Sequence, residues 1–469
     1  MAHHSHSHDE SHGQLSVAVV GAGFSCTCDI SSPLYSFSFA QSTRWSALHA
    51  PQPEIWAYQK SLVQRYGLKP HLRYNTRIAS ASWDEEAAVW RLTTAAGEES
   101  AARVLVLAVG AQSVPSIPDV PGLASFKGAA FHSGKWDHTY DLHGKRVAVI
   151  GTGASAVQVI PAIQPLVDKL YVFQRSPGWV VPRDDVVFTP RQQSAWWWPL
   201  WMRLKRYRLF LWQELIPGRA IVSNNKRVLG KVEALSLDHL RKQVPDQELQ
   251  KQLVPDFTFG CKRVLVSDDY YPALTRPNVQ LIASGLARVK DGTTLVAQDG
   301  TEAEVDAVIF TTGFNVEASL EKVDIRGRGG VTLKEAWSAE IGGPRGYFGM
   351  AVAGFPNMFQ LMVGPNTGLG HNSIIYMAEC QVGYLMRILS WMRSAHLAWV
   401  EVKASAQAAF HREMLERLKG TVWLSGCTSW YLGSTGKGVV PWPGICMEYW
   451  WRTLWVRKGD YDTGLSGSS

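Results

Sequence analysis

Short, wholly apolar runs that end in glycine recur along the chain and alternate with longer stretches of mixed polarity. This is the pattern of parallel strands buried on both faces and of the helices that cover them. The runs Val17-Ala18-Val19-Val20, Val104-Leu105-Val106-Leu107 and Val147-Ala148-Val149-Ile150 read as three such strands, each closed by a glycine within a few residues. After the third, residues 157–166 can carry a helix despite Pro161, and Leu170-Tyr171-Val172-Phe173 reads as the next buried strand. A complete strand, turn, helix and strand is therefore predicted there. Later strands are predicted at 279–282, 305–310 and 358–363, and a long amphipathic helix at 372–393.

The turns after the first and third runs differ. Gly151-Thr152-Gly153-Ala154-Ser155-Ala156 leaves a strand and opens a helix, so that backbone can approach a pyrophosphate and a helix N-terminus can face its charge. Just past the next strand, where a site for NAD places an acidic residue on the ribose, stand Arg175 and Ser176. Arg175 suits the 2′-phosphate of NADP. The other turn, Gly21-Ala22-Gly23, runs straight into Ser25-Cys26-Thr27-Cys28-Asp29 with no helix behind it. The prediction is an α/β protein with two Rossmann-like dinucleotide-binding domains, the first discontinuous and missing its first helix and second strand. Residues 15–138 form the first part of that domain and 139–287 the second domain, with a tryptophan-rich helical insertion. Residues 288–469 return to the first domain, and the strand ending at Thr311-Thr312-Gly313 is expected to join the sheet of the run ending at Gly110.

With 469 residues, 46% of them hydrophobic, the chain is long enough for substantial cores. A net charge of +7, spread without an arginine-rich stripe, argues against a nucleic-acid partner. Six cysteines with no Cys-x-x-Cys pair suggest neither a disulfide framework nor a zinc ribbon and fit a reducing cytoplasm. No metal site is expected, the histidines of residues 1–14 reading as a disordered tail or a tag. The stretch 195–212 interleaves tryptophans with cations like a helix at a membrane surface. Amphipathic stripes more often pack on the body of a protein, which is the favoured reading, and the uncharged run is too short to span a bilayer. No transmembrane segment is expected.

Phe126-x-Gly128-x-x-x-His132-x-x-x-Trp136-Asp137, placed just before the second glycine turn, resembles the fingerprint of the type I Baeyer-Villiger monooxygenases, within the class B flavoprotein monooxygenases. The resemblance covers nearly everything from Leu15 to Asp460. It implies FAD at the turn of Gly21 and Gly23 and NADP(H) at the turn of Gly151 to Ala156. In the family NADPH reduces the flavin, oxygen adds to it, and the resulting peroxyflavin attacks a ketone that rearranges to an ester or lactone. The family's active-site arginine falls on Arg263, in Phe259-Gly260-Cys261-Lys262-Arg263, and the neighbouring contact to the 2′-phosphate falls on Lys262. A fixed cation there stabilises negative charge on the peroxide and then on the tetrahedral adduct. Asp29 matches the aspartate that holds the arginine, Tyr35 a flavin contact, and Trp430 a position near the nicotinamide. The fingerprint with His132 reads as a hinge or relay between domains.

One departure is large. Relatives carry roughly forty more residues between Ser25 and Cys26, comprising the third glycine, the first helix and the second strand with its acidic ribose partner. The chain is thus expected to act on a small apolar ketone with O2, with its FAD retention and activity set by that loss. Two other readings stay open: a flavin monooxygenase that oxygenates nitrogen or sulfur, and an NADP-binding remnant without flavin chemistry.

Overall fold

The computed structural model describes residues 15–21, 29–315, 318, 322–338, 340, 342–368, 370–427, 429–432 and 440–465. In chain order, the strands that position the site are β1 (Val17–Val20), β2 (Val104–Leu107), β3 (Ala129–His132), β4 (Arg146–Ile150), β5 (Lys169–Phe173), β6 (Val279–Ile282), β7 (Ala307–Phe310) and β8 (Met358–Gln360). The helices are α1 (Gln52–Arg65), α2 (Ala156–Ile163), α3 (Trp198–Gln213), α4 (Ile374–Ser394) and α5 (Cys446–Arg452). Two parallel sheets result, one in the order β1-β2-β8 and one in the order β6-β5-β4-β7-β3.

The larger sheet has the burial its sequence requires. Val147, Ala148 and Val149 of β4 are fully buried, with α2 packing Val157, Ile160 and Ile163 into the core that holds Val147 and Val149. Because β4 leads through α2 to β5 on one side and lies against β7 on the other, the crevice at its carboxyl end is a topological switch point. Pro161 sits inside α2 without ending it.

This sheet also corrects the expected division of the chain. The strand over 305–310 does not rejoin the run ending at Gly110; as β7 it pairs with β4 and β3. Asp306 anchors it, its carboxylate accepting hydrogen bonds from the Arg146 amide and guanidinium while its carbonyl accepts from the Ala129 amide at 3.1 Å. An apolar run ending in Thr-Gly fits either sheet, and only these pairings choose. β3 likewise lies in the second sheet although it precedes residue 139, and the antiparallel strands Leu286–Lys290, Thr294–Ala297 and Glu302–Glu304 lead into β7.

The smaller sheet is different. β1 occupies its margin with β2 as its partner, and Val19 is 58% exposed where a strand inside a parallel sheet would be covered on both faces. Between β1 and α1 the described residues hold a single turn of 3-10 helix, Ser32–Tyr35. The carboxyl end of β1 is therefore not a switch point among the described residues.

One further expectation is corrected. Cys261 and Cys427, 166 residues apart, form a disulfide, brought together in a core shared by Trp179, Phe259 and Trp423, a proximity that cysteine spacing cannot reveal. α3 packs only one of its faces, through Trp198, Met202 and Arg206, leaving the other in solvent. No helix among the described residues is long and apolar enough to cross a membrane.

Candidate functional site

The turn after β4 has the geometry its glycines allow. Gly151 has φ 111°, and a Cβ there would stand 3.0 Å from the Thr311 carbonyl, so the turn is pressed against the end of β7. Gly153 has no atom within 4 Å of where its Cβ would be. Its missing side chain answers no packing need and leaves space above the turn. Thr152 donates to the Ser176 carbonyl at 2.9 Å, tying the turn to the end of β5. The Val157 amide donates to the Gly153 carbonyl at 3.1 Å, and the amides of Ala154, Ser155 and Ala156 lie in the opening turn, where a helix has donors to spare.

A cleft of about 630 Å³ opens above this turn, lined by Gly151 to Ser155, Arg175, Ser176, Lys262 and Arg263. Lys262, which no nearby spacing connects to Arg175, reaches across to Ser176 with Nζ 3.3 Å from Oγ and 4.3 Å from the Phe257 ring centre. Burial, and then the charge of Arg175, push its pKa below the ordinary lysine range. Lys262 and Arg175 set two cations near Ser176 in one cleft, and a 2′-phosphate offers them two charges and three acceptors.

Arg263 lies in the same cleft and forms a salt bridge with Asp29. Burial works to lower its pKa, but Asp29, Tyr431 and Tyr35 outweigh it and the value is raised, so the guanidinium is a permanent cation. The structure thus brings together Asp29 and Tyr35, Arg175 and Ser176, and Lys262 and Arg263, from three stretches far apart in sequence. Tyr431 is the member that sequence reasoning missed; it is buried beside the expected Trp430. Trp430 falls in a short turn, Trp430–Leu432, whose neighbour Ser429 lines the cleft. Gly23 lies outside the described residues. Gly21 has φ 97° and is pressed against the Ala108 carbonyl as Gly151 is against Thr311, but it does not line this cleft.

Polar groups behind the cleft hold the Tyr35 segment. The buried Arg206 guanidinium, from α3, donates to the carbonyls of Pro33 and Ser36, and Ser373 donates to that of Leu34 at 2.8 Å. Asn372 in turn donates to Glu214 at 2.7 Å, and the Met447 amide donates to the other Glu214 oxygen at 3.0 Å. Glu214, His371 and Cys446 offer potential metal-ligand atoms within 4.8 Å of one another. Glu214 is wholly buried, yet the His371 ring 3.5 Å away and hydrogen bonds from Met447 and Asn372 overcome burial and hold its pKa at about 2. Burial pushes the Cys446 thiol up. Through Asn372 and Met447, Glu214 joins α3 to the segments that precede α4 and open α5.

The fingerprint residues sit one layer back. A Cβ on Gly128 would stand 2.2 Å from the Asp306 carbonyl, so glycine is required where β3 meets β7. Phe126 packs beside the core under β7, and Trp136 meets Phe131 edge-on at 5.2 Å. His132 is buried, accepts from the Gly134 amide at 3.0 Å and touches Phe314, which lines the cleft. Burial lowers its pKa, partly opposed by the Gly313 backbone. Asp137 caps the following turn through Thr139. None of Phe126, Gly128, His132, Trp136 and Asp137 lines the cleft.

The residues fit NADP(H): the space above Gly153, the donors opening α2, and the Arg175-Lys262 pair suit pyrophosphate and 2′-phosphate. They fit FAD in part. Arg263, Asp29 and Tyr35 suit the reacting end, but behind Gly21 the described residues place neither an α-helix start nor a second strand for the adenosine end.

A family model described as flavin-binding monooxygenase-like matches residues 47–324. A Baeyer-Villiger monooxygenase of Streptomyces coelicolor is 42% identical over 443 residues, 93% of this chain and 83% of the relative. One from Pseudomonas aeruginosa is 41% identical over 428 residues, 90% of this chain and 80% of its own length. The structure of cyclohexanone monooxygenase from Rhodococcus sp. Phi1 bound to NADP+ superposes with a TM-score of 0.81 at 27% identity, covering 93% of this chain and 90% of that one. The cleft, its cations and these likenesses agree: the chain belongs to the flavin-binding monooxygenase-like family, among the Baeyer-Villiger monooxygenases.

Proposed function

We propose that this chain binds NADPH in the cleft above Gly153 and belongs to a reaction that inserts one oxygen of O2 beside the carbonyl of an apolar ketone, giving an ester or lactone. The observation that carries this reading is Arg263, fixed by Asp29 inside the cleft that also holds the Arg175-Lys262 pair. FAD, when bound, supplies the oxygen activation. Arg263 offers a cation where negative charge develops on the carbonyl oxygen, and Asp29 keeps that cation from reorienting. Arg175, Ser176 and Lys262 would hold the 2′-phosphate, Tyr35 would contact the flavin, and the position of Trp430 is assigned to the nicotinamide. His132, against Phe314, relays the position of β3 to the cleft wall.

We further propose that the FAD unit is cut short by a deletion between Ser25 and Cys26. The exposure of Val19 and the marginal place of β1 support this: the missing helix would cover that face and the missing strand that margin. The expected outcome is a purified chain that retains little flavin after gel filtration; stoichiometric flavin overturns that expectation and shows that the remaining contacts hold FAD. With FAD added, turnover of a cyclic ketone in preference to a thioether supports Baeyer-Villiger chemistry, and the reverse preference assigns heteroatom oxygenation. NADPH binding without turnover of either leaves an NADP-binding remnant.

A further inference from the structure

The outer face of α3 carries a second apolar stripe. Leu200, Leu204, Tyr207 and Leu211, spaced by four, three and four residues, form one line along the helix and are 61%, 55%, 57% and 43% exposed. Trp196, 90% exposed, precedes the helix, and Trp212, 55% exposed, ends it. A contiguous apolar surface of this kind marks a contact with something other than water. We propose that this face docks α3 in the plane of an anionic lipid bilayer.

Charge selects that occupant. Residues 186–213, which follow Asp184 and Asp185, contain no acid and five cations, of which Arg206 is buried and Arg203 and Arg208 are exposed on α3 itself. The first acid after them, Glu214, is wholly buried with Asn372 and Met447, so the end of the helix shows no carboxylate to repel lipid phosphates. A two-fold contact between copies would bring two cationic faces together with no acid from either to pair them. At a bilayer the leucines enter the acyl boundary, tryptophan and tyrosine sit at headgroup level, and the arginines reach the phosphates. The inner stripe of Trp198, Met202 and Arg206 keeps the helix fixed to the protein. This contact is independent of the reaction assigned above.

The test is flotation of the full chain with vesicles of phosphatidylcholine and phosphatidylglycerol, against phosphatidylcholine alone, at low and high salt. Leu204→Glu with Leu211→Glu is the variant; both positions are exposed, and unchanged NADP+ affinity shows that it remains folded. The expected result is binding to the anionic vesicles, weakened by salt and reduced at least about tenfold in the variant. Absence of flotation by the unaltered chain at low salt overturns the proposal, as does equal flotation of the variant. A dimer that the variant dissociates, with no vesicle binding by either, assigns the face to contact between copies and overturns it too.

Discussion

At the scale of single residues, two glycines of similar appearance do different work. Gly153 has open space where its Cβ would stand, whereas Gly128 has the Asp306 carbonyl there. Gly153→Ala is expected to leave the melting temperature unchanged and weaken NADP+ binding, measured by calorimetry, by about tenfold or more, since the methyl takes ligand space. Gly128→Ala is expected to lower the melting temperature by several degrees, as backbone must shift to admit it. Lys262 gives a pH prediction. Its pKa is depressed and its cation is what a 2′-phosphate seeks, so NADP+ affinity should fall as pH rises through that pKa, beginning below the ordinary lysine range. NADH binding, lacking the phosphate, should not share the fall. Lys262→Met should remove the pH step and cost roughly 10- to 100-fold in NADP+ affinity, the worth of a hydrogen bond to a charged group.

At the scale of elements, legibility in the sequence followed how far each partner lay. The unit from β4 through α2 to β5 was readable because turn, helix and strand are neighbours in the chain. β7 was readable as a strand but assigned to the wrong sheet, since its partners β3 and β4 are chosen by Asp306 some 160 residues from Arg146. The α3 segment was legible in part, as a helix that packs on the body of the protein. Both of its faces are apolar, so periodicity did not say which is buried, and the one internal signal was Arg206 in register with Trp198 and Met202. In the candidate site, Arg263, Asp29 and Lys262 came from a family resemblance, and the geometry supplies the reason for the grouping. Tyr431 carried no spacing that pointed to it. Arg206→Met is expected to destabilise the protein by about 1–3 kcal/mol for each of the Pro33 and Ser36 carbonyls left without a donor, read by urea denaturation, and to loosen the Tyr35 segment.

At the scale of the molecule, the Cys261–Cys427 disulfide joins the loop bearing Lys262 and Arg263 to the segment bearing Ser429 and Tyr431. Closing so long a loop restrains the unfolded chain, so replacing both cysteines with serine should lower stability by about 2–4 kcal/mol in denaturant. The same change should weaken NADP+ binding, because the floor of the cleft loses its tether to the wall.

β1 also has a consequence for handling the protein. Its outer margin presents a row of backbone donors and acceptors for which the described residues provide no neighbouring strand. Such a row is a template for a strand from another molecule. Concentrated solutions of this chain are therefore expected to aggregate through β1, and a peptide designed to extend along it should restore solubility before it restores any chemistry.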